Sequence, residues 1–176
     1  TIRKALAIGA DEAVRINTVT KDALSTAQQI ANYAKDNSFD LILCGKETID
    51  YNGSQVGGML AALLDLPFIS YASKLDLNGN TAKIERDIQG GKEVLEVETP
   101  FVLSAAKGMA EARIPNMRGI MAARTKPLNV VEPIEVEDTT TIVSFELPPA
   151  KGSCKMVSAD NPAELLELLR NEAKII

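Results

Sequence analysis

Asp40-Leu41-Ile42-Leu43-Cys44-Gly45-Lys46-Glu47-Thr48-Ile49-Asp50-Tyr51-Asn52-Gly53-Ser54-Gln55-Val56-Gly57-Gly58 decides the fold class. Asp40 to Cys44 is a short apolar run stopped by Gly45, the pattern of a strand buried on both faces of a parallel sheet. A loop from Lys46 to Gly53 leads to Ser54, a good N-cap, and then to small and apolar residues that predict a helix over Gln55 to Leu64. Strand, loop and helix together read as one βαβ unit.

Working outward, Ala23, Leu24, Ala27, Ile30, Ala31 and Ala34 recur at helical spacing, so Asp22 to Lys35 reads as an amphipathic helix that Asn37-Ser38-Phe39 ends. Ala13 to Ile16 reads as a short strand. Thr1 to Ala10 reads as the last turns of a helix closed by Gly9, and a missing upstream segment is expected. Downstream, Phe68 to Ala72, Ala82 to Ile88 and Glu93 to Val97 are extended stretches, and Asn78-Gly79-Asn80 and Gly90-Gly91 are hairpin signals between them. Thr99 to Ala105 reads as a further core strand. The class is therefore α/β, an open sheet with an antiparallel element near one edge.

Beyond residue 105 the pattern weakens. Lys107 to Lys126 carries Arg113, Arg118, Arg124 and three methionines without a clean period, and reads as an exposed, positively charged crossing segment. Pro133 to Lys151 reads as an extended arm. Asn161-Pro162-Ala163-Glu164 then supplies an N-cap, a first-turn proline and an acidic residue for a last helix striped by Leu165, Leu166, Leu168 and Leu169. The expected division is residues 1–131 as the α/β domain and 132–176 as arm and helix.

Composition narrows the function. The chain has 176 residues, 45% of them hydrophobic and 24% charged, with a net charge of −5. No apolar run approaches the ~20 residues of a membrane helix, so membrane insertion is not expected. The scattered Lys and Arg residues of an acidic chain argue against nucleic acid as a partner. The chain contains no histidine, which removes His-based metal sites and histidine-dependent nucleophilic triads. Two cysteines, Cys44 and Cys154, fit a reducing cytoplasmic compartment.

The loop that opens the helix is the best candidate site, because open α/β sheets bind ligands at the carboxyl ends of their strands. Backbone amides of Ser54, Gln55 and Val56, with the Ser54 hydroxyl, could hold a phosphate, and Gly57 and Gly58 would allow close approach. A simple capped helix after a strand fits the same pattern. Asp50 could read a ribose hydroxyl or adenine amine, or cap a turn. Arg86 and Asp87 could be a functional ion pair, a flavin-edge contact or a solvated strand pair. Cys44 reads as packing. Met117 reads as docking surface or core filler.

Three spaced blocks are more specific. Thr1-Ile2-Arg3-Lys4-Ala5-Leu6-Ala7-Ile8-Gly9-Ala10-Asp11 comes first, and Gly45-Lys46 with Ile49-Asp50, Gln55 and Gly57 second. Ile84-Glu85-Arg86-Asp87 with Gly90-Gly91, Glu93 and Pro100 completes the set. In this order they resemble the electron-transfer flavoprotein beta subunit family. That resemblance implies an open, mostly parallel sheet of the adenine-nucleotide-binding (alpha hydrolase-like) type with an attached antiparallel hairpin and a C-terminal arm plus helix. It also implies that the family's first strand and the several dozen residues after it are absent.

The resemblance further implies a heterodimer. An alpha subunit holds the redox FAD, and the beta subunit binds a second nucleotide, AMP in many members and another FAD in the bifurcating branch. Electrons would pass from acyl-CoA or other flavin dehydrogenases toward a membrane quinone oxidoreductase, and the chain would perform no bond chemistry itself. Carried over, nucleotide contacts fall at Thr48, Asp50, Tyr51, Ser54, Gln55 and Val56. Arg86 and Asp87 fall near the subunit interface and the flavin, and Arg113 to Ala122 matches the docking loop, with Met117 as its apolar anchor. Two other classes fit the residues less well: an ATP-dependent ligase, which needs more cations than Lys46 beside the loop, and a homodimeric AMP- or ATP-binding stress-type module.

Overall fold

The computed structural model describes every residue of the chain except Asp50 and Asp138. Residues Thr1–Thr141 form one compact unit and Ile142–Ile176 a second.

In the first unit, helix α1 (Ile2–Ile8) and strand β1 (Ala13–Ile16) precede helix α2 (Ala23–Asp36), strand β2 (Leu41–Gly45) and helix α3 (Val56–Leu64). Strands β3 (Phe68–Asn78), β4 (Thr81–Ile88), β5 (Gly91–Glu98) and β6 (Phe101–Ala105) follow, then helix α4 (Met117–Ala123) and strand β7 (Leu128–Val131). The main sheet has the order β2-β6-β3-β4-β5, and β1 pairs with β7 in a separate parallel ribbon. Strands β2, β6 and β3 run parallel, whereas β3, β4 and β5 form an antiparallel meander through the two expected hairpins. The open, mostly parallel α/β sheet with its antiparallel attachment is thus observed.

Strand order decides which apolar run is buried. β6 lies between β2 and β3, and Phe101, Val102 and Leu103 are fully buried there. β2 was expected to be buried on both faces, but it is the edge of the sheet and Leu43 is 54% exposed. One core cluster joins Ile69, Ala72, Ala82, Ile84, Phe101 and Leu103, and a second joins Ala27, Ala31 and Leu60 where α2 packs on α3. Each large side chain so buried contributes about 1.5–3 kcal/mol.

α2 begins as the sequence suggests. Asp22 accepts a bond from the Ser25 amide at 2.7 Å and forms a capping box with it. The segment 107–126, expected to lack regular structure, instead contains α4, capped by the Asn116 side chain on the Gly119 amide at 2.8 Å. A Cβ on Gly119 would lie 2.2 Å from the Ala7 carbonyl oxygen, so glycine lets α4 cross α1 in close contact. The two helix ends then clamp each other. Arg3 donates to the carbonyls of Ala123 (2.6 Å) and Lys126 (2.9 Å), and Lys126 donates to those of Leu6 (3.1 Å) and Ala10 (2.5 Å). These bonds satisfy carbonyls that a helix C-terminus leaves without partners.

After β7 the chain runs along α2. The buried Gln29 amide donates to the Ile134 carbonyl (2.7 Å) and accepts from the Ile134 amide (3.0 Å), acting as a strand partner would. The second unit contains helix α5 (Pro162–Glu167), which starts with the expected proline and continues as a π-helical turn over Leu168–Glu172. Lys155 pairs with Glu172 at 2.5 Å.

Candidate functional site

Register brings the carboxyl ends of β2 and β6 together, with Gly45 opposite Ala105, and sets them beside the middle of β3, with Ala105 opposite Ala72. The loop from β2 to α3 leaves from this edge. Its first turn closes when the Asn52 amide donates to the Thr48 carbonyl at 2.9 Å. Asn52 (φ 49°) and Ser54 (φ 51°) are both left-handed, a conformation that costs about 1 kcal/mol or more in a residue with a side chain.

Ser54 is therefore not the N-cap expected. α3 starts at Val56, after Gln55, and Gln55 makes no side-chain capping bond. The first amides of α3 have no acceptor within the helix and carry partial positive charge. Thr48, Tyr51 and Gln55 are exposed around this helix start, Ser54 and Val56 are half-buried, and Asp50 lies outside the described residues. Gly57 lies tight on Phe68, whose ring a Cβ would approach to 2.9 Å, whereas a Cβ on Gly58 would make an ordinary contact with the same ring at 3.5 Å. Cys44 packs against the α2–α3 cluster, and burial pushes its thiol pKa up.

Beside the loop, the Lys46 ammonium pairs with Glu47 at 2.9 Å and sits 5.6 Å from the centroid of the Tyr71 ring. Hydrogen bonding and charge attraction from Glu47 raise the Lys46 pKa, with a smaller contribution from Tyr71. Tyr71 has φ 58°, and its amide donates to the Oγ of buried Ser104 at 2.9 Å. Sequence reasoning missed both residues, because neither a positive φ nor a bond between strands leaves a local pattern.

Arg86 and Asp87 do not pair with each other, since neighbours on a strand point to opposite faces. Arg86 donates through Nε to the cross-strand Glu93 and through Nη1 to Ser70 Oγ at 3.1 Å. Asp87 is exposed opposite Lys92. Met117 opens α4 and is 74% exposed, while Arg113 Nη1 lies against Gly9 at the end of α1. Exposed Ile114 and Met121 flank Met117, and a groove of about 510 Å³ between α1 and α4 is lined by Arg3, Lys4, Arg124, Ala7, Pro115 and Ile120. Among the described residues, no cluster of Cys, Asp and Glu could hold a metal ion, and no helix is long and apolar enough to cross a membrane.

The sequence profile of the electron transfer flavoprotein domain matches residues 1–136. The chain is 40% identical over 190 aligned residues to electron transfer flavoprotein subunit beta of Bacillus subtilis (strain 168), covering 99% of this chain and 74% of that protein. The chain belongs to the electron transfer flavoprotein beta subunit family. It is also 34% identical to the Homo sapiens protein of that name, over 97% of this chain and 71% of the relative. The same identity, over 99% and 71%, holds for the protein of Syntrophomonas wolfei. The family's name implies an electron carrier and an alpha subunit partner, and the expected family is the one found.

Proposed function

We propose that this chain is the beta half of a two-subunit electron carrier that binds AMP as a structural ligand. The observation that carries the nucleotide reading is the open first turn of α3, reached by a loop that starts with Lys46 at the aligned carboxyl ends of β2 and β6. Those residues fit a phosphate: amides, the Ser54 hydroxyl and one cation, with Thr48, Tyr51, Gln55 and Val56 around them. Asp50 belongs to the same proposed contact set by sequence position. The redox group would be FAD, held mainly by the alpha subunit, which supplies one- and two-electron chemistry when bound.

Residues 132–176 are proposed to pack on that alpha subunit. Support comes from their apolar side chains, since Val143 and Leu147 are 95% exposed and Phe145 79%. Arg86 and Asp87 are proposed for the subunit interface near the flavin. Arg113 and Met117 are proposed to meet acyl-CoA or other flavin dehydrogenases, with quinone oxidoreductase as the acceptor. In residues 1–10 and 107–126 of this acidic chain, Glu111 is the one carboxylate among Arg3, Lys4, Lys107, Arg113, Arg118, Arg124 and Lys126, so a partner with an acidic rim fits. A cytoplasmic location is part of the same reading, supported by two free thiols.

Co-expression with the neighbouring alpha subunit, denaturation and chromatography of the released nucleotides test this. One FAD and one AMP per dimer is the expected result. Two FADs would replace AMP by a flavin, and ATP without flavin would overturn the carrier reading.

A further inference from the structure

We propose that Tyr71 is a positioning residue that holds the Lys46 ammonium beside the carboxyl ends of β2 and β6, where it meets the phosphate bound at the α3 N-terminus. The inference rests on the nucleotide reading above and assigns a role to two residues outside the loop, Tyr71 and Ser104.

The backbone is the first observation. A tyrosine at φ 58° occupies a conformation that costs free energy and persists only where its surroundings enforce it. β3 breaks register against β6 across Tyr71, and against β4 two residues later at Ser73. Against β6, the pairing steps from Ile69↔Leu103 to Ala72↔Ala105, three residues against two. Against β4, it steps from Ala72↔Arg86 to Lys74↔Glu85, two residues against one. A bulge re-aims a side chain and takes an amide out of the ladder. The Tyr71 amide is recovered by Ser104, whose side chain is buried in β6, the interior strand between β2 and β3.

The ring is the second observation. Tyr71 belongs to neither core cluster and is 40% exposed, so core packing does not explain the distortion. What the bulge achieves is a ring face 5.6 Å from Lys46 Nζ, beside the edge where Gly45, Ala105 and Ala72 lie in register. Glu47 also holds this ammonium, but its carboxylate opposes an incoming phosphate. A neutral π face fixes the cation without cancelling its charge, and an ammonium with three donors keeps capacity for an anion.

The test uses the complex with its alpha subunit, stripped of nucleotide, titrated calorimetrically with AMP and with adenosine. Tyr71→Leu is expected to weaken AMP about fivefold and to leave adenosine unchanged, whereas Tyr71→Phe keeps wild-type affinity for both. Lys46→Met changes an exposed side chain, so it gives the same selective loss independently of the strand, by about tenfold. The double variant Lys46→Met/Tyr71→Leu should bind AMP no more weakly than Lys46→Met. Unchanged AMP binding by Tyr71→Leu, equal losses for AMP and adenosine, or additive losses would each overturn the assignment. A wild-type complex that binds neither ligand would overturn the nucleotide reading itself, and the inference with it.

Discussion

Phe101 and Phe145 are the same side chain in two regions with opposite economies of burial. Phe101 is fully buried in the interior strand β6, whereas Phe145 in the second unit is 79% exposed. The contrast extends to whole regions: every buried hydrophobic residue among those described falls between Leu6 and Ala123, while Val143, Leu147 and Met156 are almost bare. Apolar composition alone does not make a core. Residues 101–105 have hydrogen-bonded neighbours on both sides and a second apolar layer, whereas residues 142–157 have no regular element to order them. Exposed apolar runs of that kind suit a partner's surface, as the heterodimer proposal requires.

Replacing each phenylalanine by alanine is the strongest way to break the comparison. Phe101→Ala should destabilise the chain by about 3–5 kcal/mol in urea unfolding. Phe145→Ala should stay within about 0.5 kcal/mol, yet reduce recovery of the alpha subunit in co-purification. Equal losses of stability would show that the second unit has a core comparable to the first.

A pair of glycines gives a smaller contrast. Gly119→Ala drives a methyl group into the Ala7 carbonyl and should cost about 1–3 kcal/mol by spreading α1 from α4. A Cβ on Gly152 meets nothing within 4 Å, so Gly152→Ala should leave the urea midpoint unchanged. A Gly119→Ala midpoint at the wild-type value would mean that the α1–α4 contact adds nothing to the first unit.

The sequence carried the parts of this fold that are local. The period of Ala23 to Ala34 located α2, and Asn78-Gly79-Asn80 and Gly90-Gly91 located the meander. Elements defined by distant partners stayed hidden. α4 has seven residues and β7 four, too short to show a period, and their partners α1 and β1 lie over a hundred residues away. The burial of β2 is hidden for the same reason: β6, from sixty residues downstream, takes the interior place beside β3, and among the described residues no strand pairs with the other side of β2. In the site, the strand-loop-helix order made residues 46–56 visible, but Tyr71 and Ser104 depend on register between strands. The Arg86–Glu93 pair was within reach, because hairpin register across Gln89-Gly90 places the two opposite each other.

The smallest expected effect sharpens where the ordered region ends. One oxygen of Asp22 caps α2 at Ser25, and the other accepts from Thr139 (2.8 Å) and Thr140 (3.2 Å), shortly before the first unit ends at Thr141. The Ser25 amide first, and then the Thr139 hydroxyl, hold this carboxyl well below the usual carboxylate range. The folded pKa is lowered, so the unfolded chain binds the proton more readily. The stabilisation is full above the unfolded value, near ~4, and is lost progressively as pH falls toward the folded one. Amide hydrogen exchange at Ser25, whose amide Asp22 holds, should therefore accelerate between neutral pH and pH 3, after correction for intrinsic rates, while β6 amides stay protected. Asp22→Asn keeps a capping oxygen but has no titrating group, so its corrected exchange should be flat over that range. Matching acid profiles for wild type and Asp22→Asn would assign the loosening to another carboxylate and remove Asp22 as the anchor that separates the packed region from the exposed one.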